Sequence, residues 1–324
     1  MSHRYLLVSP CRNEAAHCHR TLQTVVGQSI KPALWVIVDD GSSDTTPQIL
    51  AEYAQSHRFI RVLRAPDRGT RSVGPGVIEA FNAGYATVDA TQFDFVCKLD
   101  MDLALPPTYF EQLMRRMALE PRIGTCSGKP YFLTSGGALV SEAIGDEMSA
   151  GMTKFYRREC FEEIGGFVQG VMWDGIDCHR CRMRGWIACS WDDPELRFLH
   201  LRPMGSSHRG MWTGRKRHGQ GQWFMGTGLL YMLVSAAYRM SRRPRVVGGL
   251  GMLVGYLSAM LKRLPRYPDP EFRDFLRSHQ WRCLLYGKRR ATALIHERLG
   301  GSPTRDHVEG PSCERATQCS RSMP

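Results

Sequence analysis

The stretch over residues 94–103 places the tightest constraint on the fold, because an apolar run ends there in two carboxylates. Phe95 and Leu99 belong to that run, which is typical of a buried strand. Asp100 and Asp102 stand two positions apart, so in an extended chain both point to the same side. At the carboxyl edge of an α/β sheet, where such folds bind ligands, this pair predicts a divalent cation held between carboxylates and substrate phosphates. The alternative is a solvated turn after a strand.

Segments typical of strands and helices alternate through the first hundred residues. The predicted strands cover residues 5–8, 34–38, 59–63 and 95–99, and the predicted helices between them cover residues 14–26, 46–55 and 77–85. The second strand is uniformly apolar, as expected for a parallel strand buried on both faces. The alternation predicts an α/β fold with a doubly wound, mostly parallel sheet.

Three loops at the ends of predicted strands are expected to meet at one edge of this sheet. The loop from Pro10 to Glu14 supplies amide donors and the guanidinium of Arg12. The loop over residues 39–44 supplies a carboxylate suited to a base or to ribose hydroxyls, as in other nucleotide-binding sheets. Together with the acidic pair as a metal site, the loops predict a site for a nucleoside diphosphate. For residues 40–44 the alternative is a cap on the next helix.

The motifs in and beyond these loops resemble, in their order and spacing, those of family 2 inverting glycosyltransferases with the GT-A fold. The resemblance covers roughly residues 3–210. Its motifs are residues 8–14, 38–44 and 98–102 on the donor side, and residues 156–158, 164–167, 173–177, 180 and 185–186 on the acceptor side. It implies a doubly wound mixed sheet and a nucleotide-sugar donor.

The resemblance also implies roles for individual residues at the donor. Asp40 would bind the uridine-type base, and Asp100 would contact ribose or a metal-bound water. Asp102 would ligate Mg²⁺ or Mn²⁺ beside Asp100. Gly166 would let the backbone approach the sugar closely, although turn formation alone could require it. The set expected at the nucleotide-sugar is Pro10, Arg12, Glu14, Asp39, Asp40, Arg71 (near the phosphates), Lys98, Asp100 and Gly166.

Two carboxylates in the acceptor-side segment are candidates for the catalytic base. Asp174 aligns best with the base of the family, but Trp173 replaces the glutamate that usually precedes it. Asp177 lies one helical turn further on, so either residue could take the proton of the attacking acceptor hydroxyl. One base opposite a metal-stabilised leaving diphosphate implies inversion at the anomeric carbon. For Asp174 the alternative is a helix N-cap.

Three more segments carry candidate chemistry. His200 follows a predicted strand over residues 196–199 and is the candidate for a further metal ligand; the alternative is a buried core histidine. Residues 214–223 predict a glycine-rich basic loop, either closing over the diphosphate or merely solvated. Cys178 and Cys181 do not predict a zinc site, because no second cysteine pair lies at a suitable spacing. A helical face accounts for them better.

The chain changes character after residue 222. The sequence predicts a catalytic domain over residues 1–222, with a nucleotide-binding half (1–105) and an acceptor half (106–222). A helical, membrane-associating region over residues 223–299 and a disordered tail over residues 300–324 follow.

Two apolar helices are predicted in the helical region, over residues 224–240 and 246–261. The second has sixteen uncharged residues between basic flanks, fewer than the roughly twenty that span a bilayer. Such a segment is typical of an interfacial or re-entrant helix at an anionic membrane. Gly251 and Gly255 would permit close helix packing. A buried helical hairpin is the alternative.

Charge and cysteine usage limit the partners and the compartment. The net charge of +12 predicts an anionic partner. The odd, scattered set of 11 cysteines favours reduced thiols over a disulfide framework, and the apolar run at residues 5–8 is too short for a signal peptide. We expect the protein at the cytoplasmic face of the inner or plasma membrane.

These observations predict a metal-dependent inverting glycosyltransferase of exopolysaccharide biosynthesis. It would move a sugar from a UDP-sugar to a glycan or lipid-linked acceptor. A sugar-1-phosphate nucleotidyltransferase is the first alternative, but the loop over residues 9–14 lacks the glycines which that class needs. A nucleic-acid-binding protein is the second, but the basic runs flank apolar helices instead of interleaving with aromatic residues, so no nucleic-acid partner is expected.

Overall fold

The computed structural model of the chain describes residues 3–67, 69, 74–202, 210–241 and 245–298. Arg71, predicted near the phosphates, and the tail over residues 300–324, predicted to be disordered, lie outside this part of the chain.

The strands and helices are numbered in chain order. The strands are β1 (Tyr5–Cys11), β2 (Leu34–Asp40), β3 (Ile60–Ala65), β4 (Phe95–Leu99), β5 (Leu103–Ala104), β6 (Ile123–Ser127), β7 (Lys129–Leu133), β8 (Leu139–Ser141), β9 (Thr153–Arg157), β10 (Ile187–Ser190) and β11 (Arg197–His200). The helices are α1 (Cys18–Val26), α2 (Thr46–Ser56), α3 (Pro75–Tyr85), α4 (Tyr109–Leu119), α5 (Arg158–Glu163), α6 (Trp173–Met183), α7 (Gly210–Met225), α8 (Leu229–Met240), α9 (Val247–Leu261), α10 (Pro270–Tyr286) and α11 (Lys288–Arg298).

The main sheet is doubly wound and mixed. In the described part of the chain it has seven strands in the order β10-β6-β9-β4-β1-β2-β3. β1 runs parallel to β2 and β4, so their carboxyl ends meet at one edge, as predicted. The β9 strand lies antiparallel to β4 and β6 and makes the sheet mixed.

A second, smaller sheet brings a distant segment to this edge. Its order is β5-β11-β7-β8, and β11 pairs antiparallel with β5 so that His200 lies opposite Leu103. The backbone N–H of Leu201 also donates to the carbonyl of Asp102 at 2.8 Å. These contacts bring the chain back to the acidic pair after nearly a hundred intervening residues.

Side chains alternate across the main sheet into two apolar layers. Leu7 and its neighbours on one face pack with residues of α1, α2 and α4, such as Leu22. Leu6 and Val8 on the other face pack with residues of α3, α5 and α6, such as Phe161. All of these side chains are buried, which confirms the predicted sheet covered on both faces.

The helical region differs from the prediction at its start. The basic loop expected over residues 214–223 is helical, because α7 runs through it, and the helix expected over residues 224–240 begins only at Leu229. The glycines of α7 and α9 serve packing. A Cβ on Gly219 would overlap the carbonyl of Met252, and one on Gly255 would overlap the carbonyl of Lys216. The predicted close approach at Gly255 is confirmed.

The most apolar helix, α9, has 15 residues. In the described ranges, no helix combines the length and the apolarity needed to cross a membrane.

Candidate functional site

The loops after β1 and β2 hold each other at the carboxyl edge of the sheet. The N–H of Asn13 donates to Ser42 Oγ at 2.9 Å, and the N–H of Ser43 donates to Asn13 Oδ1 at 2.8 Å. Asn13 has a φ of 53°, a left-handed conformation that asparagine tolerates better than most residues. This reciprocal pair fixes one loop relative to the other.

The two neighbouring aspartates of β2 have different tasks. Asp39 is buried, and its Oδ1 accepts the N–H of Ser42 at 2.9 Å. The carbonyl of Asp40 accepts a hydrogen bond from Arg12 Nη1. Arg12 Nη2 donates to Asp67 Oδ1 at 2.6 Å, so one guanidinium joins the loops after β2 and β3. Asp39 therefore shapes the loop that presents Asp40.

A shallow cleft of about 520 Å³ lies beside this clamp. It is lined by Gly41, Ser42, Arg64, Ala65, Pro66 and Asp67. Gly41 has a φ of 71°, and a Cβ there would overlap the backbone of Asp67, so both its conformation and the close approach of the next loop require glycine. The cleft adjoins the position predicted for the base.

Asp102 lies next to two cationic side chains. Its Oδ2 is 2.7 Å from Arg202 Nη2 and 3.6 Å from His200 Nε2. Burial alone would raise the pKa of Asp102, but the hydrogen bonds and charges of His200 and Arg202 outweigh burial and lower it to about 2. Asp102 is therefore a carboxylate over the whole physiological pH range.

His200 joins Asp102 to a residue that the sequence analysis did not identify. Its Nδ1 is 3.0 Å from Glu142 Oε2. Burial alone would lower the pKa of His200, but the hydrogen bonds to Asp102 and Glu142 outweigh burial and raise the pKa to about 9. Glu142 follows the short strand β8, where no motif marks it. Arg202 lies two residues after His200, and nothing in the sequence showed its partners.

Asp100 is held by a lysine beneath it. Lys98 Nζ lies 2.5 Å from Asp100 Oδ1 and 3.0 Å from the carbonyl of Gly151. Lys98 is buried, so it neutralises Asp100 from inside the protein instead of reaching toward a donor.

Gly151 connects this pair to the candidate base. A Cβ on Gly151 would lie only 2.8 Å from Asp174 Oδ2, so the Asp174 carboxylate packs directly against the backbone that Lys98 holds. Trp173 adds a second connection, because its ring centroid is 5.1 Å from Lys98 Nζ. Asp100 and Asp174 therefore border one wall.

Asp177 occupies the interior below Asp174. Its Oδ1 lies 2.6 Å from Lys154 Nζ, and both side chains have no exposed surface. Its Oδ2 accepts the hydroxyl hydrogen of Tyr156. Lys154 Nζ in turn donates to the carbonyl of Asp174 at 2.8 Å. A carboxylate enclosed in this way cannot meet an acceptor hydroxyl, so the geometry favours Asp174 of the two candidates.

Pro10 and Gly166 have local structural roles. Pro10 lies in β1 opposite Val38. Gly166 forms the turn after α5 with a φ of 68°, and its N–H donates to the carbonyl of Phe161 at 2.9 Å. The turn alone explains this glycine, and a contact with the sugar stays a prediction.

The donor set suits a cation shared with a substrate better than a cation held by the protein alone. Across the described residues, no three or more Asp, Glu, His or Cys side chains form a group that could hold a metal ion. Asp102 and His200 provide one oxygen and one nitrogen donor side by side. Mg²⁺ is commonly bound by one or two carboxylates plus substrate phosphates, so Asp102 fits such an ion, whereas both ring nitrogens of His200 face carboxylates, those of Asp102 and Glu142.

Comparison with known proteins places the chain in a family. The family model "Glycosyl transferase family 2" matches residues 7–171. The putative glycosyltransferase EpsH of Bacillus subtilis (strain 168) is 25% identical over 164 residues, 51% of this chain and 44% of EpsH. Poly-beta-1,6-N-acetyl-D-glucosamine synthase of Staphylococcus epidermidis is 26% identical over 120 residues, 37% of this chain and 27% of the synthase. The chain thus matches less than half the length of either relative.

The fold is also similar to a solved structure. The crystal structure of GalNAc-T7 with UDP, GalNAc and Mn²⁺ aligns with a TM-score of 0.55 and 14% identity, over 87% of this chain and 57% of that chain. This likeness supports a GT-A-like mixed sheet. Because the family model covers half of the residues, including the loops after β1, β2 and β4, the chain belongs to glycosyl transferase family 2.

Proposed function

We propose that this protein is a metal-dependent, inverting glycosyltransferase that moves a sugar from a UDP-sugar to a glycan or lipid-linked acceptor. The observation that carries the proposal is the continuous line of contacts along one sheet edge. Arg12 binds the Asp40 loop, Glu14 and Asp102 share Arg202, and Gly151 joins the Asp100 pair to Asp174. A rival nucleotidyltransferase has no support in the family match.

The donor would lie along this line with its base at the β2–β3 cleft and its diphosphate at the acidic pair. Arg12 and Asp39 preorganise the base end, because they fix the loop that carries Asp40 before a ligand arrives. UDP and Mn²⁺, which GalNAc-T7 holds in its crystal structure, are the first ligands to test.

Asp102 and His200 would hold Mg²⁺ or Mn²⁺ together with the diphosphate. When bound, the ion stabilises the charge that develops on the leaving diphosphate. Because His200 has a pKa of about 9, it must lose a proton to become a ligand.

Asp174 would act as the general base. It would accept the acceptor's proton as the hydroxyl attacks the anomeric carbon from the side away from the leaving diphosphate, and such an in-line displacement inverts that carbon. Lys154 and Asp177 hold the first turn of α6. The ring of Trp173 covers Lys98 and also Lys154, whose Nζ lies 5.8 Å from the ring centroid. The position of the base is thus set by a buried network.

The helical region would bind an anionic membrane at the cytoplasmic face and so bring the enzyme to a lipid-linked acceptor. Residues 196–268 contain thirteen Lys and Arg residues and no Asp or Glu. The net charge of this segment therefore exceeds the net charge of the whole chain, which is +12. Large apolar side chains are exposed on the same region: Leu229, Leu230, Leu233, Val234 and Tyr238 on α8, and Val247, Leu250, Val254 and Leu261 on α9. Apolar faces flanked by cations suit an anionic bilayer surface.

The test of the catalytic proposal is release of UDP from a panel of UDP-sugars with Mn²⁺. Asp102→Asn should lower this metal-dependent activity about a hundredfold or more, since it removes a ligand of the ion. Asp274→Asn is the matched control, because Asp274 is exposed on α10 and its nearest cation is 3.8 Å away. Undiminished activity in Asp102→Asn with an intact circular dichroism spectrum would refute the metal role.

A further inference from the structure

Arg202 lies between the carboxylates of Asp102 and Glu14 and contacts the same Asp102 oxygen that faces His200, the candidate metal ligand. A single nitrogen, Nη2, lies 2.7 Å from Asp102 Oδ2 and 2.9 Å from Glu14 Oε1. The side chains of Asp102 and Glu14 are 6% and 7% exposed. A positive charge therefore lies directly on the Asp102 carboxylate.

The backbone around Arg202 is fixed, whereas its side chain can move. His200 pairs with β5, and Leu201 donates to the carbonyl of Asp102, so the chain is held up to the residue before Arg202. The Arg202 side chain is 32% exposed and has several rotatable bonds. It can turn away from Asp102 without breaking the strand pairing.

A guanidinium binds carboxylate and phosphate equally well in geometric terms, through parallel N–H donors. A diphosphate arriving at Asp102 would offer Arg202 new acceptors at the moment when it loses the old ones. We propose that Arg202 is an internal counter-ion of the donor site. It holds Asp102 in the empty enzyme, competes with the divalent cation, and transfers to the diphosphate when cation and nucleotide bind together.

This inference rests on the proposed metal site and adds that the cation and the nucleotide bind cooperatively there. The cation alone must displace Arg202 without compensation, whereas the cation with UDP gives Arg202 a new partner. Metal and nucleotide should therefore each strengthen the binding of the other, as linkage requires. Arg202 is the residue through which that coupling acts.

The experiment measures Mn²⁺ binding to the full chain by electron paramagnetic resonance, with and without UDP. In the absence of UDP, Arg202→Gln should bind Mn²⁺ about tenfold more tightly than the natural protein, and the gain in Mn²⁺ affinity caused by UDP should shrink by a similar factor. Arg202→Lys, which keeps the charge but not the fork of donors, should lie between the two.

Arg197→Gln is the matched control. Arg197 begins β11, the strand that leads to Arg202, and pairs with the exposed Asp192 at 2.8 Å, so its loss should leave Mn²⁺ affinity unchanged. Equal or weaker Mn²⁺ binding in a folded Arg202→Gln, combined with loss of binding in Asp102→Asn, would overturn the role of Arg202 alone. Absence of Mn²⁺ binding in every protein, with and without UDP, would overturn the proposed metal site and this inference with it.

Discussion

Asp174 and Asp177 lie one turn apart on α6, yet their surroundings prepare them for opposite tasks. Asp174 is partly exposed and packs against Gly151 at the wall of the cleft. Asp177 is enclosed with Lys154, and both of its oxygens accept hydrogen bonds. A base must exchange protons with a substrate, whereas a buried partner must stay charged to balance its lysine.

Substituting each aspartate by asparagine should separate these tasks. Asp174→Asn should lower the rate of transfer by about 10²–10⁴-fold while UDP binding and stability stay near their natural values. Asp177→Asn should lower the free energy of unfolding by about 3–5 kcal/mol, because it leaves Lys154 buried and unpaired. Transfer assays, UDP titration and urea denaturation measure the three quantities.

A double substitution provides the control for the second effect. In Asp177→Asn with Lys154→Met, the uncompensated charge is gone, so part of the lost stability should return. If Asp177→Asn is as stable as the natural protein but cannot transfer sugar, Asp177 is the base and Asp174 is not.

Among the secondary-structure elements, those of the first hundred residues, where strand and helix segments alternate, could be predicted from the sequence. The first residues of β1 and β2 and both ends of β4 were predicted, although β1 and β2 run on to Cys11 and Asp40. The meeting of their loops at one edge was predicted with them. The β9 strand carries buried Lys154, a residue type rare in cores, and it was not predicted. Its partner Asp177 comes from another element, so only the fold could show the pair.

The helix α7 shows why glycine content misled the prediction. Glycines in a basic stretch are typical of a loop, but Gly219 of α7 and Gly255 of α9 let two helix backbones touch. That reason exists only when both helices are in place. Arg202 and Glu142, the partners of Asp102 and His200, were hidden for the same reason, because strand pairing in the second sheet brings them together.

Gly255→Ala tests the packing of these helices. Its new methyl group would overlap the backbone of Lys216, which cannot move aside alone, so stability should fall by about 1–3 kcal/mol. Gly175→Ala is the matched control, since a Cβ there meets its nearest neighbour at 3.6 Å and alanine favours the helix. Thermal and urea denaturation should thus rank Gly255→Ala below Gly175→Ala; the reverse order would contradict close packing.

For the molecule as a whole, buried histidines link stability to pH. Burial and the charge of Arg182 together lower the pKa of His279 to about 3 and that of His296 to about 4. Unfolded histidines titrate near 6.5, so between about pH 6.5 and 4 the unfolded chain binds more protons. Stability should be unaffected by these groups above pH 6.5 and should fall as the pH drops through that window.

His279→Gln should reduce this acid sensitivity. The His279 ring contacts Thr292 and Cys283 and faces His179 from α6 and Lys288 from α11. Glutamine at this position would keep a polar partner for Thr292 but would not titrate. Urea denaturation at pH 7 and at pH 5 should give a smaller difference than in the natural protein. If the difference in stability between pH 7 and pH 5 is unchanged, groups other than His279 cause the loss of stability at low pH.

In the whole molecule, positive charge is concentrated in the part of the sequence that also carries the exposed apolar side chains of α8 and α9. The excess of Lys and Arg falls within residues 196–268, and the rest of the chain is close to neutral. Binding to vesicles that contain phosphatidylglycerol should therefore exceed binding to phosphatidylcholine vesicles and should weaken as salt rises, because screening reduces attraction between exposed charges.

Charge reversal locates the surface that binds. Lys262→Glu with Arg263→Glu, at the exposed end of α9, should weaken binding to anionic vesicles more than tenfold, since each basic residue near such a surface contributes about 1 kcal/mol. Arg20→Glu with Lys31→Glu makes the same change in net charge at exposed positions near α1 and should have little effect. Sedimentation with vesicles measures both; equal losses would show that net charge, and not the α8–α9 surface, governs binding.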